Sequence, residues 1–267
     1  MRILFFGDVV GDNGRLAIIN NIDALIEKYR IDFVIANGEN VSTGKGLTEN
    51  HYISLLNAGV DCVTLGNHYH SKSNIDHYID DTDSLVRPLN LLTYKKGEGS
   101  ILYDFENGVK VRVTNILGSA FINESVDSPY LSMLDLLSLI EDEDSIHIVD
   151  YHGEATGEKQ CFAYEFDGKV SAVLGTHTHV QTRDYRILEK GTGYISDVGM
   201  CGAYNGVLGF EKNSVMKKTL YGHTSKFELD PEDDSLISAV VLDIDDYTKK
   251  CIEIFPIYTV MKGEKHG

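Results

Sequence analysis

The sequence contains no tryptophan, only four prolines and only four cysteines in 267 residues. The cysteines lie far apart and form no C-x-x-C pair, which argues against a disulfide framework and against a zinc ribbon. No apolar stretch approaches the roughly 20 residues of a membrane-spanning helix, and the first apolar run ends too early for a signal peptide. We therefore expect a cytoplasmic protein without a membrane segment.

Basic residues are also scarce, because 24 lysines and arginines stand against 41 aspartates and glutamates. The formal charge of −17 argues against binding to duplex nucleic acid, which needs a basic face. A small anionic substrate is compatible with this charge, since bound divalent cations reverse it locally. The hydrophobic share of 42% is enough to bury a core. Because no linker or repeat interrupts the chain, we predict a single domain over residues 1–267.

The first 70 residues alternate between short apolar runs and helical patterns. Strands are predicted at 3–6, 33–36 and 60–65, since each is a short, mainly apolar run that ends near a glycine or a polar residue. Helices are predicted at 15–29 and from the N-cap Thr48 to about residue 58, with Ile53 and Leu56 on the inner side of the second. This β-α-β-α-β order implies parallel strands with right-handed crossovers.

The remainder of the chain adds a hairpin, two helices and four more strands. Strands at 99–106 and 109–117 flank Asn107-Gly108, which is a strong hairpin signal. Helices are predicted at 131–140 and 155–166, and strands at 146–150, 170–174, 236–244 and 249–261. The fold class is therefore α/β, with sheets packed as a sandwich and flanked by helices.

Eight polar side chains follow five of the predicted strands. In open α/β sheets the ligand site lies at the carboxyl ends of the strands. A lone histidine or aspartate there is more often structural, but eight together favour a metal site, and we expect two ions in a hydrolase. His177 and His179 would face one pocket if the strand geometry continued through them. The eight residues are Asp8, Glu39, Asn40, Asn67, His68, His152, His177 and His179.

Carboxylate, imidazole and amide ligands without thiolate favour manganese, iron, zinc or cobalt. A carboxylate such as Glu39 can bridge two ions, and ions ~3.5–4 Å apart suit the hydrolysis of phosphoesters. They polarise the phosphoryl oxygens and lower the pKa of a bridging water, whose hydroxide attacks phosphorus. His68, beside Asn67, is placed to protonate the leaving oxygen.

The ordered set of motifs resembles the calcineurin-like metallophosphoesterases, and more closely their bacterial branch of 2′,3′-cyclic-nucleotide 2′-phosphodiesterases. The resemblance runs through most of the chain. The matching segments are Gly7-Asp8-Val9-Val10-Gly11, Asn37-Gly38-Glu39-Asn40, Gly44-Lys45-Gly46, Leu65-Gly66-Asn67-His68, Arg87-Pro88, Asp150-Tyr151-His152-Gly153-Glu154-Ala155-Thr156, Gly175-Thr176-His177-Thr178-His179-Val180 and Asp197-Val198-Gly199-Met200.

The resemblance implies a four-layer α/β/β/α sandwich and a centre of two metal ions, iron or manganese, with zinc as an alternative. It assigns Asp8, Glu39, Asn40 and His179 to one ion. It assigns Glu39, Asn67, His152 and His177 to the other, with His68 as the proton donor. It also implies a phosphodiesterase that hydrolyses 2′,3′-cyclic nucleotides to 3′-nucleotides.

The chain departs from this pattern in two ways. Val10 stands where the wider superfamily has histidine and Glu39 where it has aspartate; the valine is typical of this branch. Tyr69-His70 stands where the branch commonly has Thr-Trp, so these two residues are candidate substrate contacts. Lys45 is a third candidate, for a phosphate, although a solvated loop lysine is an equal alternative.

Other functions use the same residues. A phosphomonoesterase or an RNA-end nuclease would use the same centre, and a regulatory metal-binding protein would use it without catalysis. Asp197 is a candidate partner for a ligand histidine, with a loop cap as the alternative. A homo-oligomer is a further hypothesis, since such assemblies are common among soluble enzymes.

Overall fold

The computed structural model describes residues 1–140, 144–224, 226–231 and 234–263. Its helices are α1 (Gly11–Tyr29), α2 (Glu49–Asn57), α3 (Pro129–Leu139), α4 (Thr156–Glu165) and α5 (Lys212–Thr219), with 3₁₀ turns at Ser73–His77 and Ile79–Asp81. Its strands are β1 (Arg2–Phe6), β2 (Asp8–Val9), β3 (Phe33–Asn37), β4 (Cys62–Thr64), β5 (Leu85–Val86), β6 (Ser100–Asp104), β7 (Lys110–Leu117), β8 (Ile146–His152), β9 (Ala172–Thr176), β10 (Arg186–Ile187), β11 (Gly193–Ile195), β12 (Met200–Ala203), β13 (Ser235–Ile244) and β14 (Cys251–Met261).

The first sheet has eight strands in the order β2-β12-β13-β1-β3-β4-β5, with β14 paired to β13. Strands β1, β3, β4 and β5 are parallel to one another, whereas β13 is antiparallel to β1. The predicted β-α-β-α-β arrangement is therefore confirmed. The two predicted C-terminal strands form the long antiparallel pair β13 and β14, with its turn after Ile244.

The second sheet has six strands in the order β10-β11-β9-β8-β7-β6. The predicted hairpin of β6 and β7 is confirmed, and Phe105 N donates to Val109 O across its turn. Gly108 takes φ +82° there, a backbone conformation that glycine adopts without steric cost. Strands β7, β8 and β9 are parallel, so their carboxyl ends lie at one edge of the sheet.

Successive side chains of each strand point to opposite faces of its sheet, and this alternation creates the four layers. Ile3 and Phe5 of β1 pack with β7, β8 and β9 in the core between the two sheets, because alternate side chains share a face. Leu4 and Phe6 point the other way, toward α1 and α2. The outer face of the second sheet packs against α3 and α4. The expected α/β/β/α sandwich is confirmed.

Several details differ from the sequence prediction. In α2, Tyr52 and Leu55 are buried, Leu56 packs partly buried against the core as predicted, and Ile53 is 44% exposed, so the most buried face lies about one residue from the predicted one. Helix α1 begins at Gly11 instead of residue 15, after Val10 in extended conformation. The short strands β2, β5 and β10 to β12 and helix α5 were not predicted, because two to eight residues give too little periodicity.

Two expectations about composition can also be compared with the structure. The four cysteines are all free, and only Cys161 is exposed, so the absence of a disulfide framework is confirmed. Within the described residues, no helix combines the length and the apolar character that crossing a membrane requires. The single domain over residues 1–267 stays a prediction.

Helical glycines provide a test of the packing between α1 and the first sheet. A Cβ on Gly14 would collide with the carbonyl oxygen of Cys201 in β12, whereas a Cβ on Gly157 in α4 meets nothing within 4 Å. We expect Gly14→Ala to lower the free energy of unfolding by about 1–3 kcal/mol, because overpacking outweighs the helix propensity of alanine.

The matched control, Gly157→Ala, should leave stability unchanged or raise it by up to about 1 kcal/mol. Denaturant unfolding of both variants at one metal concentration measures the difference. Equal stability of the two variants would contradict the close approach of α1 to β12.

Candidate metal centre

The sequence-predicted site residues meet where the carboxyl ends of the two sheets adjoin. The first sheet contributes residues that follow β1, β3 and β4, and the second contributes residues at or after the ends of β8 and β9. The carboxylates of Asp8 and Glu39 and the imidazole of His152 are at most 1% exposed. The structure therefore brings donors from five strand ends into one buried place.

One group of donors surrounds the Nε2 atom of His152. Glu39 Oε1, Asn67 Oδ1 and His177 Nδ1 each lie 3.1 Å from that atom. One ligand atom each of Glu39, His152 and His177 lies within 4.8 Å of the others, an arrangement that could hold a metal ion. These four residues are the set that the family resemblance assigned to a single ion.

A second group of donors also includes Glu39. The amide of Asn40 is 3.0 Å from Glu39 Oε1 and 3.2 Å from His179 Nε2. His179 Nε2 is in turn 3.9 Å from Asp8 Oδ1. Glu39 thus belongs to both groups, which is the position that a bridging carboxylate requires.

The backbone of His177 and His179 does not continue the strand. Strand β9 ends at Thr176, and the two histidines take φ +101° and +67°. The expectation that strand geometry directs both rings into one pocket was therefore wrong. Instead, the turn sends His177 toward His152 and His179 toward Asn40, so the two rings reach different groups of donors.

Buried carboxylates hold this unusual turn in place. His177 N donates to Asp8 Oδ2 at 2.9 Å, and Thr178 N donates to Asp197 Oδ2 at 3.0 Å. Asp197 also forms a buried ion pair with Lys159 Nζ at 3.0 Å. Asp197 therefore fixes the backbone between the histidines, and none of its described bonds reaches a histidine ring.

A hydrogen-bond network behind the site orients His152. Its Nδ1 atom lies 2.8 Å from Thr176 Oγ1, which donates to Asp150 Oδ1 at 2.6 Å. Asp150 also accepts from Asn37 Nδ2 and Thr64 Oγ1. Such partners fix the ring orientation of ligand histidines. Sequence reasoning missed this role, although Asp150 precedes His152 by two residues on the same face of a buried strand.

The pKa values of the site residues are shifted by burial and by one another in ways that are compatible with a bound cation. Burial raises the pKa of Asp8 to about 6, and its Oδ1 atom is buried without a hydrogen-bond partner. Burial and the neighbouring His152 lower the pKa of His177 to about 3, so that this ring is neutral and can act as a ligand. Burial disfavours charge on His152, but the adjoining Glu39 carboxylate outweighs it and raises the His152 pKa to about 9.

These observations test whether the residues fit a metal. A buried carboxylate oxygen without a donor, next to a carboxylate and an imidazole in direct contact, is the donor chemistry of a cation site. Gly66 keeps the site open, because a Cβ there would collide with Glu39 and His152. The residues therefore fit a divalent cation.

His68 lies at the edge of these donors. Its backbone N donates to Glu39 Oε2 at 3.0 Å, and its ring Nδ1 is 3.4 Å from the amide nitrogen of Asn67. Burial lowers the pKa of the half-buried His68 ring, and the charge of Lys45 lowers it further. Lys45 is itself exposed, so its charge reaches the site from the open side.

The similarity of the chain to known proteins identifies its family. The family described as YmdB-like protein matches residues 4–257 of the chain. The chain belongs to this family. It is also 44% identical to the 2′,3′-cyclic-nucleotide 2′-phosphodiesterase of Bacillus subtilis (strain 168), over 95% of each protein. The resemblance to the calcineurin-like metallophosphoesterases, and their fold, are thereby confirmed.

Two solved structures have the same fold over almost the whole chain. A protein described as a novel phosphatase from Mycoplasma pneumoniae is 38% identical, with a TM-score of 0.93, and the match covers 99% of this chain and 95% of that one. A hypothetical protein from Thermus thermophilus is 35% identical, with a TM-score of 0.89, over 97% of this chain and 99% of that one.

Tyr69 and His70, the candidate substrate contacts, directly follow His68 in the chain. Tyr69 is buried, and its ring packs edge-on against Tyr94 with centroids 5.0 Å apart. His70 Nε2 lies 2.9 Å from Asp76 Oδ2, and Tyr94 OH donates to the other oxygen of Asp76. The described contacts therefore join both residues to Tyr94, in the segment between β5 and β6, and join His70 to Asp76 in the 3₁₀ turn Ser73–His77. Their contact with a substrate stays a prediction.

The buried ion pair between Lys159 and Asp197 supports the turn at His177 and His179. Its contribution can be tested without changing a proposed ligand. Lys159→Met would leave the Asp197 carboxylate buried without its cation, and removing one partner of a buried pair typically costs about 3–5 kcal/mol. We expect this loss in the free energy of unfolding, together with weaker metal binding, because Asp197 holds the Thr178 amide.

Lys169→Met is the matched control, since Lys169 pairs with Glu165 at a similar distance of 3.1 Å but is 45% exposed. That substitution should cost at most about 1 kcal/mol. Urea unfolding and metal titration of both variants give the comparison. A smaller effect at Lys159 than at Lys169 would contradict the role of the buried pair.

Proposed function

We propose that this protein is a metal-dependent phosphodiesterase that hydrolyses 2′,3′-cyclic nucleotides to 3′-nucleotides. The observation that carries the proposal is the pair of donor groups that share Glu39, with the unpartnered Asp8 oxygen beside them and His68 at their edge. The Bacillus subtilis relative is a 2′,3′-cyclic-nucleotide 2′-phosphodiesterase, and the match covers 95% of both chains. The enzyme is thus a phosphoric ester hydrolase.

The proposed ligand sets follow the two donor groups. One ion would be held by Asp8, Glu39, Asn40 and His179, and the other by Glu39, Asn67, His152 and His177. Such ions would neutralise charge on phosphoryl oxygens and make water more acidic. Ligands of oxygen and nitrogen without thiolate suit iron or manganese, and zinc equally by affinity, so that supply in the cell decides.

Hydrolysis adds one water molecule across the bond between phosphorus and O2′. The hydroxide oxygen ends on phosphorus, the bond to O2′ breaks, and O2′ takes a proton. We assign that proton to the imidazole of His68, whose backbone is fixed by Glu39. Lys45 is exposed and its positive charge acts on His68, so it is a candidate contact for the anionic phosphodiester. The scarcity of basic residues elsewhere favours a small substrate over duplex nucleic acid.

A phosphomonoesterase is the second candidate, because the Mycoplasma pneumoniae structure is described as a phosphatase. The substrates of the two activities differ, because phosphorus carries one ester bond in a phosphomonoester and two in a phosphodiester. Hydrolysis of 2′,3′-cyclic AMP, 3′,5′-cyclic AMP and p-nitrophenyl phosphate by the wild-type protein separates them. A preference for p-nitrophenyl phosphate would favour the phosphomonoesterase.

The role of His68 is tested by His68→Ala in metal-loaded protein. We expect turnover of 2′,3′-cyclic AMP to fall by ~10²–10⁴-fold, the usual contribution of general acid catalysis, at unchanged metal content. His77→Ala is the control, since His77 is an exposed histidine outside the site. Undiminished turnover of His68→Ala would remove this residue from the reaction.

The role of Asn67 is tested by metal content instead. Its Oδ1 atom lies 3.1 Å from His152 Nε2, so Asn67→Ala should remove one ligand and lower the metal occupancy below about two ions per chain. Asn67→Asp keeps an oxygen at the same place and should restore the occupancy. Full occupancy of Asn67→Ala, measured by elemental analysis, would argue against this ligand set.

A further inference from the structure

Phe121 is an exposed aromatic side chain close to the candidate metal centre. Its side chain is 88% exposed, and its backbone takes φ +61°, which non-glycine residues rarely adopt. Packing does not explain a large apolar ring that is exposed on a constrained turn. The contacts that hold this turn, and the groups that face the ring, point to a binding role instead.

The turn is fixed on the side of the second sheet. Gly118 N donates to the carbonyl oxygen of His152, which places the start of the turn next to a proposed ligand. Glu158 then accepts from Ser119 N at 2.9 Å, from Ser119 Oγ at 2.7 Å and from Ala120 N at 3.4 Å. The three residues before Phe121 are thus held by hydrogen bonds, and the ring projects from a fixed support.

A cleft of about 500 Å³ lies beside the ring and is lined by Phe121, Glu154 and Ala155. Glu154 Oε2 is 3.2 Å from Nε2 of His177, and Nδ1 of the same ring is 3.1 Å from His152 Nε2. The cleft therefore begins one side chain away from the donors. The cleft is shallow and open to solvent, so a flat group could lie against the ring there.

We propose that Phe121 is the platform on which the nucleobase of the substrate stacks while the phosphodiester occupies the metal centre. This inference rests on the proposed function, because it concerns the base of a nucleotide substrate. Aromatic rings bind bases through their π faces, and such stacking tolerates every base. Selectivity for nucleotides over other phosphoesters then comes from the ring, while a particular base is not selected.

Stacking can be observed directly because the chain contains no tryptophan. Phe121→Trp introduces a single indole, and its fluorescence should be quenched in a saturable manner when metal-loaded protein is titrated with 3′-AMP. Ribose 3-phosphate, which has no base, should not quench it. The control is Tyr247→Trp, because Tyr247 is 93% exposed on the turn between β13 and β14, next to the amino end of β1 and not its carboxyl end.

Kinetics provide the second measurement. Phe121→Ala should raise KM for 2′,3′-cyclic AMP by about 5–150-fold, which corresponds to one lost stacking contact. For 1-O-methylribose 2′,3′-cyclic phosphate, which has no base, kcat/KM should stay unchanged. Phe121→Tyr should keep the wild-type KM, and Tyr247→Ala should change neither substrate.

The outcomes separate this inference from the proposed function. Quenching by 3′-AMP but not by ribose 3-phosphate, without hydrolysis of cyclic nucleotides, would overturn the proposed function and support the stacking role of Phe121. Normal hydrolysis with no quenching and an unchanged KM in Phe121→Ala would overturn the platform alone. Equal losses on both substrates, together with an altered mass in light scattering, would make Phe121 a subunit contact and also overturn the platform.

Discussion

The buried carboxylate of Glu39 is the constraint on which the rest of the site depends. A carboxylate that is buried away from water needs hydrogen-bond donors or positive charges around it. Glu39 obtains them from the ring of His152, the amide of Asn40 and the backbone N–H of His68. These three partners follow or end different strands, so the register of β3 against β4 and the packing of β8 on β3 must both be correct for this charge to be tolerated.

Much of this arrangement could be predicted from the sequence, because it follows from patterns of fixed period. Apolar runs located β1, β3 and β8, and polar residues directly after such runs located the donors. Parallel strands end at one edge, so spatial proximity followed from topology alone. The hairpin around Asn107-Gly108 was equally accessible, since its turn residues specify the geometry.

Features that leave no periodic pattern of apolar residues in the sequence could not be predicted. The left-handed backbone at His177 and His179 depends on Asp8 and Asp197, which are 169 and 19 residues away from their respective partners. Lys159 is typical of an exposed helix position in the sequence, yet it is buried because Asp197 faces it. The one-residue error in α2 has a similar origin, since the sheet beneath the helix selects the inner face.

The two sheets divide the donors unequally. Asp8, Glu39, Asn40 and Asn67 belong to the first sheet, and the three imidazoles belong to the second. A cation held by both groups is therefore a cross-link between the sheets, and linkage between binding and packing is reciprocal. Bound metal would oppose separation of the sheets, whose shared core includes Val113 and Leu174, and separation would weaken metal binding by the same factor.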